Sequence, residues 1–92
     1  MDVQITVDST PNENALKFNI NKKILDSGYK TFNSAEEAKG FPVATAIWNF
    51  EGVASVFVMA AGEAAFITVT KKQEAGWGNL QEKIVGAIKA TL

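Results

Sequence analysis

The 92-residue sequence contains no cysteine, no histidine and no arginine. Without cysteine or histidine, the chain has no ligands for a structural zinc ion or a thiolate-held iron–sulfur cluster, and no imidazole for acid–base catalysis. Disulfide bonds are impossible, so the fold depends on its core alone. We therefore predict a protein that is not an enzyme and has no cofactor or metal site of its own.

Excess positive charge and long apolar runs are absent as well. The sequence has nine lysines and ten acidic residues, and the net charge is −1. A chain without arginine or a basic excess lacks the usual means of gripping bases and phosphates, so we predict no nucleic-acid partner. No apolar run approaches the ~20 residues that span a membrane, and the N-terminus has no signal-peptide pattern. These features predict a cytoplasmic protein without membrane contact.

What is present indicates a globular protein. The length and the apolar content of 47% suit a single domain over residues 1–92. A first strand is predicted where Val3, Ile5 and Val7 alternate with polar residues. A second strand, with Leu16 and Phe18 on one face, follows after a short polar loop, so the two should pair antiparallel.

The centre of the chain is the apolar stretch 50–71, which predicts a β-hairpin. Gly62 and Glu63 suit the two central positions of a type II′ turn, because glycine tolerates a positive φ at the first of them. Counting outward from that turn gives the pairs. On one face they are Val58 with Ile67 and Val56 with Val69, and on the other Phe57 with Thr68 and Met59 with Phe66.

Helical patterns flank this hairpin. Ser34 and Glu37 have capping-box spacing, Gly40 should end that first turn, and Pro42 should begin a helix that Gly52 caps.

A last helix is predicted from Trp77 or Asn79 to Ala90, with Asn79 and Glu82 as a possible second capping box. With "YKTF" as a short edge strand, the order is β-β-(short β)-α-β-β-α. We predict an α+β fold of two layers, in which two helices pack on one face of an antiparallel or mixed sheet of about four strands.

Three segments in this order resemble the N-terminal domain of Nfu/NifU-type iron–sulfur scaffold proteins. They are "TPNENALKF" at 10–18, "FEGVASVFV…FITVTK" at 50–71, and Trp77 followed by Leu80, Ile84 and Ile88. The family's second proline is Glu13 here, and the hairpin tip is longer. The chain resembles a stand-alone version of the domain, without the C-terminal CxxC domain that holds the cluster.

The resemblance implies a non-catalytic protein-interaction domain that works beside iron–sulfur cluster assembly or delivery, with proteins of that machinery as partners. The alternative is a general α+β interaction or regulatory module outside iron–sulfur biology.

Two groups of residues are candidate partner contacts. The first is the loop that holds Thr10, Pro11, Asn12 and Asn14, since functional residues are often carried on loops. The residue types favour a structural explanation for this loop, in which Pro11 fixes φ and the asparagines bond the nearby backbone.

The second group is the other hairpin face, with Phe57, Met59 and Phe66. In a two-layer fold this face is open to solvent, and contiguous exposed apolar area indicates a docking surface. The alternative is that Trp48 or the long hairpin tip covers it.

Overall fold

The computed structural model describes residues 3–92, which form five strands and two helices. The elements are β1 (Ile5–Ser9), β2 (Ala15–Ile20), β3 (Tyr29–Phe32), α1 (Pro42–Trp48), β4 (Val53–Ala61), β5 (Ala64–Lys71) and α2 (Leu80–Thr91). This confirms the predicted element order. The sheet has five strands rather than about four, because the short segment β3 joins it as a full member.

All strand pairs in the sheet are antiparallel, and the strand order is β1-β2-β5-β4-β3. The central hairpin β4–β5 therefore lies inside the sheet, flanked by β2 on one side and β3 on the other. The predicted antiparallel pairing of the first two strands is confirmed, as is the edge position of "YKTF". The first strand begins at Ile5 rather than Val3, which instead packs half-buried against the core.

The register of the central hairpin is the predicted one. Val58 lies opposite Ile67, and Met59 lies opposite Phe66. Gly62 has φ +65° and Glu63 has a negative φ, which is the backbone pattern of a type II′ turn. Because the turn has two residues and a fixed type, it determines every pair up to the irregularity near Val53.

Both helices pack on one face of the sheet, as predicted. Their buried side chains join the inward-facing strand residues in one core cluster. The largest fully buried side chains are Phe18, Ile47, Ile67, Ile84, Ile88, Val43, Val56, Val58 and Val69. On α1 the buried residues are Val43, Ala44 and Ile47. No helix within residues 3–92 has both the length and the apolar character to cross a membrane.

The segment from Ser34 to Gly40 forms turns and not a helix. The Ser34 hydroxyl accepts a hydrogen bond from the Glu37 N–H at 3.2 Å, which is one half of the predicted capping box. The Glu37 carboxylate, however, accepts from the Asn33 N–H at 3.1 Å instead of the Ser34 N–H. Gly40, at φ +87°, ends this turn before Pro42 begins α1.

The predicted cap at the end of α1 is wrong, and so is the predicted capping box at the start of α2. α1 ends at Trp48, and Gly52 turns the chain into β4 with φ +95° instead of capping the helix. The Gly52 carbonyl accepts a hydrogen bond from the Lys72 N–H at 2.6 Å, so strand pairing determines its conformation. α2 begins at Leu80, and Asn79 precedes it with helical φ and ψ and no side-chain cap, so the Asn79–Glu82 capping box does not form.

Candidate functional site: the outer face of the sheet and the loop junction

The loop before β2 is closed by its own polar side chains. The Thr10 hydroxyl lies 2.8 Å from the Asn12 carbonyl oxygen and 3.0 Å from that of Ala15. It also accepts a hydrogen bond from the Asn12 N–H at 3.2 Å. The Asn12 side-chain oxygen accepts from the Asn14 N–H at 2.9 Å, which is an Asx-turn. These contacts engage Thr10 and Asn12 inside the loop.

Three distant parts of the sequence meet beside this loop, and we name Asn14, Lys71 and Trp77 the loop junction. The Lys71 side chain is only 8% exposed. Its ammonium group donates to the Asn14 side-chain oxygen at 2.8 Å and lies 5.9 Å from the centre of the Trp77 ring. The Trp77 indole N–H donates to the carbonyl of Glu13 at 3.2 Å. Burying a charge is costly unless it is hydrogen-bonded, so Asn14 makes the buried Lys71 tolerable.

The loop junction gives a physical reason for the three segments that carry the family resemblance. The loop, the end of β5 and the start of the last helical segment are tied together by side chains from each of them. This arrangement suits the structural explanation of the loop. Pro11 and Asn12 are exposed and Thr10 and Asn14 are half-buried. A role for these four residues as partner contacts stays a prediction.

The face of the sheet away from the helices, here called the outer face, carries a row of aromatic rings. The Tyr29 and Phe57 rings stack with centroids 5.5 Å apart, and the Phe57 and Phe66 rings are 6.2 Å apart. Met59 lies directly opposite both Tyr29 and Phe66 on the neighbouring strands. The structure therefore brings together Phe57, Met59 and Phe66, with Tyr29 added to them; these four residues are the aromatic patch.

Neither of the predicted covers lies over the aromatic patch. Trp48 packs against the core cluster on the helical side, where its indole N–H is buried and has no partner within residues 3–92. The hairpin tip continues its strand pairing to Ala61 and Ala64, so it extends the ribbon instead of folding back. Tyr29 is consequently 65% exposed and Met59 is 37% exposed.

One lysine borders the aromatic patch. The Lys17 ammonium group lies 4.4 Å from the centre of the Phe66 ring. The one ion pair within residues 3–92 joins Lys23 and Asp26. Asp8 lies opposite Lys17 on β1, but its carboxylate accepts a hydrogen bond from the Asn19 side chain at 2.7 Å and makes no ion pair with Lys17. Sequence reasoning missed Lys17 and Tyr29, because their place beside the hairpin depends on strand pairing between segments that no tight turn connects.

The donor set of the chain does not fit an iron–sulfur cluster. The sequence has no cysteine or histidine. Within residues 3–92, acidic side chains do not form any group of three or more that could hold a metal ion.

Comparisons with known proteins agree with the fold and the sequence motifs. The family model described as "Scaffold protein Nfu/NifU N terminal" matches residues 5–92. The human protein "NFU1 iron-sulfur cluster scaffold homolog, mitochondrial" is 36% identical over 85 residues, which are 91% of this chain and 32% of that protein. "NifU-like protein 4, mitochondrial" of Arabidopsis thaliana is 33% identical over 84 residues, again 91% of this chain and 28% of the relative.

The chain thus spans less than a third of the length of these relatives. A crystal structure of protein SAV1430 from Staphylococcus aureus shares the fold, with a TM-score of 0.68 at 24% identity, covering 99% of this chain and 98% of that one. Because the family model matches nearly the whole length of the chain, the chain belongs to the Nfu/NifU scaffold N-terminal family.

Proposed function

We propose that this chain is a non-catalytic protein-interaction domain of iron–sulfur cluster assembly or delivery, and that it docks its partner through the aromatic patch. Family membership associates the chain with iron–sulfur cluster biology. The absence of cysteine and histidine leaves it without the usual cluster ligands. What remains is a contribution through binding to other proteins of that machinery.

The observation that carries the proposal is the open aromatic patch. A small folded protein buries most of its large apolar side chains in its core, and a contiguous exposed group of them indicates a binding surface. Here Tyr29, Phe57 and Phe66 form a continuous row on a face that no helix of residues 3–92 covers. Aromatic side chains and methionine are enriched in the cores of protein interfaces, so this row has the composition of a binding surface.

The charge beside the patch specifies the chemistry of the partner. Lys17 lies at the rim and makes no ion pair within residues 3–92. Complementary charges at an interface rim guide association and determine orientation. The partner surface that fits is therefore an apolar one bordered by a carboxylate that can approach Lys17.

The proposal is tested by affinity capture from the native cytosol with quantitative mass spectrometry. The test variant is the double substitution Tyr29→Ser with Met59→Ser, because both side chains are exposed and their loss leaves the core intact. We expect the wild-type chain to enrich identified proteins of iron–sulfur assembly, or proteins that receive clusters. The double variant should lose at least about nine-tenths of that enrichment, which corresponds to roughly 1.4 kcal/mol of binding free energy.

The control is Val85→Ser, which removes a half-buried apolar side chain from the helical side of the molecule. It should capture the same proteins as the wild-type chain. Equal capture by the double variant would exclude the aromatic patch, and a captured set without iron–sulfur proteins would overturn the assignment to that machinery. Phe57→Ser and Phe66→Ser add a second measurement, since lost stability with unchanged capture would make these rings structural.

The cytoplasmic location stays a prediction. The named relatives are mitochondrial proteins by their descriptions, and they do not determine the compartment of this chain. Recovery of the chain with its partner in a cytosolic fraction would support the prediction, whereas recovery in an organelle would contradict it.

A further inference from the structure

The two edge strands of the sheet, β1 and β3, differ in how open they are to a further strand. Strand order places β1 at one end and β3 at the other. An edge strand presents unpaired N–H and C=O groups that can pair with another chain, unless charge, proline, shortness or a covering element prevents it. We propose that β1 is a self-association edge, and that two copies of this chain pair antiparallel through it to form one continuous sheet of ten strands.

Hydrogen bonding within the sheet identifies the free groups of β1. The Asn21 N–H donates to the Gln4 carbonyl at 3.2 Å, so Gln4 directs its backbone groups toward β2. Backbone direction alternates along an antiparallel strand. Thr6 and Asp8 therefore also bond to β2, whereas Ile5 and Val7 direct their N–H and C=O groups away from the sheet, toward the open edge.

The edge at β3, by contrast, is blocked. The Ala60 N–H donates to the Gly28 carbonyl at 2.9 Å, so the same alternation leaves Tyr29 and Thr31 facing outward on β3. β3 has only four residues, and Lys30 points from it toward the helical side, where its ammonium group lies 5.7 Å from the Phe41 ring. An inward-pointing lysine and a short strand are devices that prevent strand addition. β1 is also short, at five residues, but it has no inward-pointing lysine, since its helical side carries the half-buried Ile5 and Val7.

The sequence of β1 is complementary to itself in one antiparallel register. With Thr6 on the two-fold axis, Ile5 lies opposite Val7 of the second copy, and this apolar pair occurs twice. Each of these pairs can exchange two backbone hydrogen bonds, using the groups that face the open edge. On the outer face, the amide of Gln4 lies opposite the carboxylate of Asp8 from the second copy. The two Asp8 carboxylates are not opposite each other, so like charges do not oppose the pairing.

The proposed pairing stops at a dimer, and its affinity is low. The same strand meets itself about a two-fold axis, so assembly stops at a dimer and leaves only the blocked β3 edges at the two ends. A single strand pair buries well under the ~1,600 Å² of a standard interface, and we expect a Kd on the order of 100 μM. The aromatic patch stays open in this dimer, which would therefore present two such patches on one sheet face.

The test is sedimentation equilibrium of the purified chain from about 10 μM to about 1 mM, a range that brackets the expected Kd. The test variant is Val7→Pro, which removes an N–H that backbone alternation from Gln4 directs away from β2, toward the open edge. The first control is Val7→Ala, which removes a similar part of the side chain but keeps that N–H. The second control is Thr31→Pro, the corresponding change on β3. Circular dichroism of each variant reports whether the fold is retained.

The proposal predicts a monomer–dimer equilibrium for the wild-type chain, Val7→Ala and Thr31→Pro, and at least about a tenfold weaker dimer for folded Val7→Pro. The amides of Ile5 and Val7 should also exchange with solvent more slowly as the wild-type concentration rises, which needs no variant at all. A wild-type chain that stays monomeric to about 1 mM would overturn the proposal. So would a dimer in which these two amides keep the same exchange rates at all concentrations.

Discussion

At the scale of single residues, Asn14 and Lys71 are the most informative pair. Lys71 is buried at the end of β5, and its ammonium group is held at 2.8 Å by the side-chain oxygen of Asn14. The sequence motifs at 10–18, 50–71 and 77–88 are distant along the chain, yet the loop junction joins all three. A structural role therefore accounts for Asn14 without any partner.

Asn14→Ala should lower the free energy of unfolding by about 2 kcal/mol, because it leaves the buried Lys71 ammonium without its nearest acceptor. Urea denaturation of both proteins measures this difference. Glu13→Ala is the control, since the Trp77 indole uses only the backbone carbonyl at that position. The control should change stability by less than about 0.5 kcal/mol. Equal stability of Asn14→Ala and the wild-type chain would contradict the structural role.

At the scale of secondary-structure elements, the central hairpin was predictable because its register follows from a two-residue turn. Gly62 and Glu63 are adjacent in sequence, and every pair from Ala61–Ala64 to Val56–Val69 follows by counting. No such rule links β3 to β4, since a helix and loops separate them. The stacking of Tyr29 on Phe57, and with it the full aromatic patch, therefore depended on tertiary pairing that the sequence pattern does not contain.

Helix ends were the weakest part of the sequence prediction, because other parts of the chain compete for the side chains and backbone groups that the predicted caps would use. The Ser34–Glu37 motif forms half of its capping box, but Gly40 and Pro42 follow so closely that a turn replaces a helix. Gly52 has the conformation expected of a cap, yet it serves the entry into β4 because its carbonyl pairs with Lys72. Local motifs identified the residues with special roles but not the partner that each would meet.

Two glycine-to-alanine changes should have opposite effects on stability. Gly62 has φ +65° in the hairpin turn, and an added Cβ there meets no neighbouring atom, so Gly62→Ala costs only backbone strain of about 1–2 kcal/mol. Gly86 lies exposed within α2 and an added Cβ also meets open space, so Gly86→Ala should stabilise the protein by about 0.5–1 kcal/mol. Thermal unfolding measures whether each variant is more or less stable than the wild-type chain. A destabilising Gly86→Ala would contradict the exposed helical position of Gly86.

At the scale of the whole molecule, the fold has one closed side and one open side. Helices α1 and α2 share a single core cluster with one face of the sheet, and they leave the outer face uncovered within residues 3–92. The β1 edge is open in a second direction, at right angles to the aromatic patch. A small domain of this shape can bind a partner over its sheet face while pairing with a copy of itself along its edge.

The central claim is that the aromatic patch, and not the loop at residues 10–14, contacts the partner. Its most direct test is a titration of the isotope-labelled chain with the purified iron–sulfur protein recovered by capture, followed in amide NMR spectra. The amides of Tyr29, Phe57, Met59 and Phe66 should shift first and furthest, whereas those of residues 10–14 should stay in place. Shifts concentrated at residues 10–14, or no shifts at all, would contradict the claim.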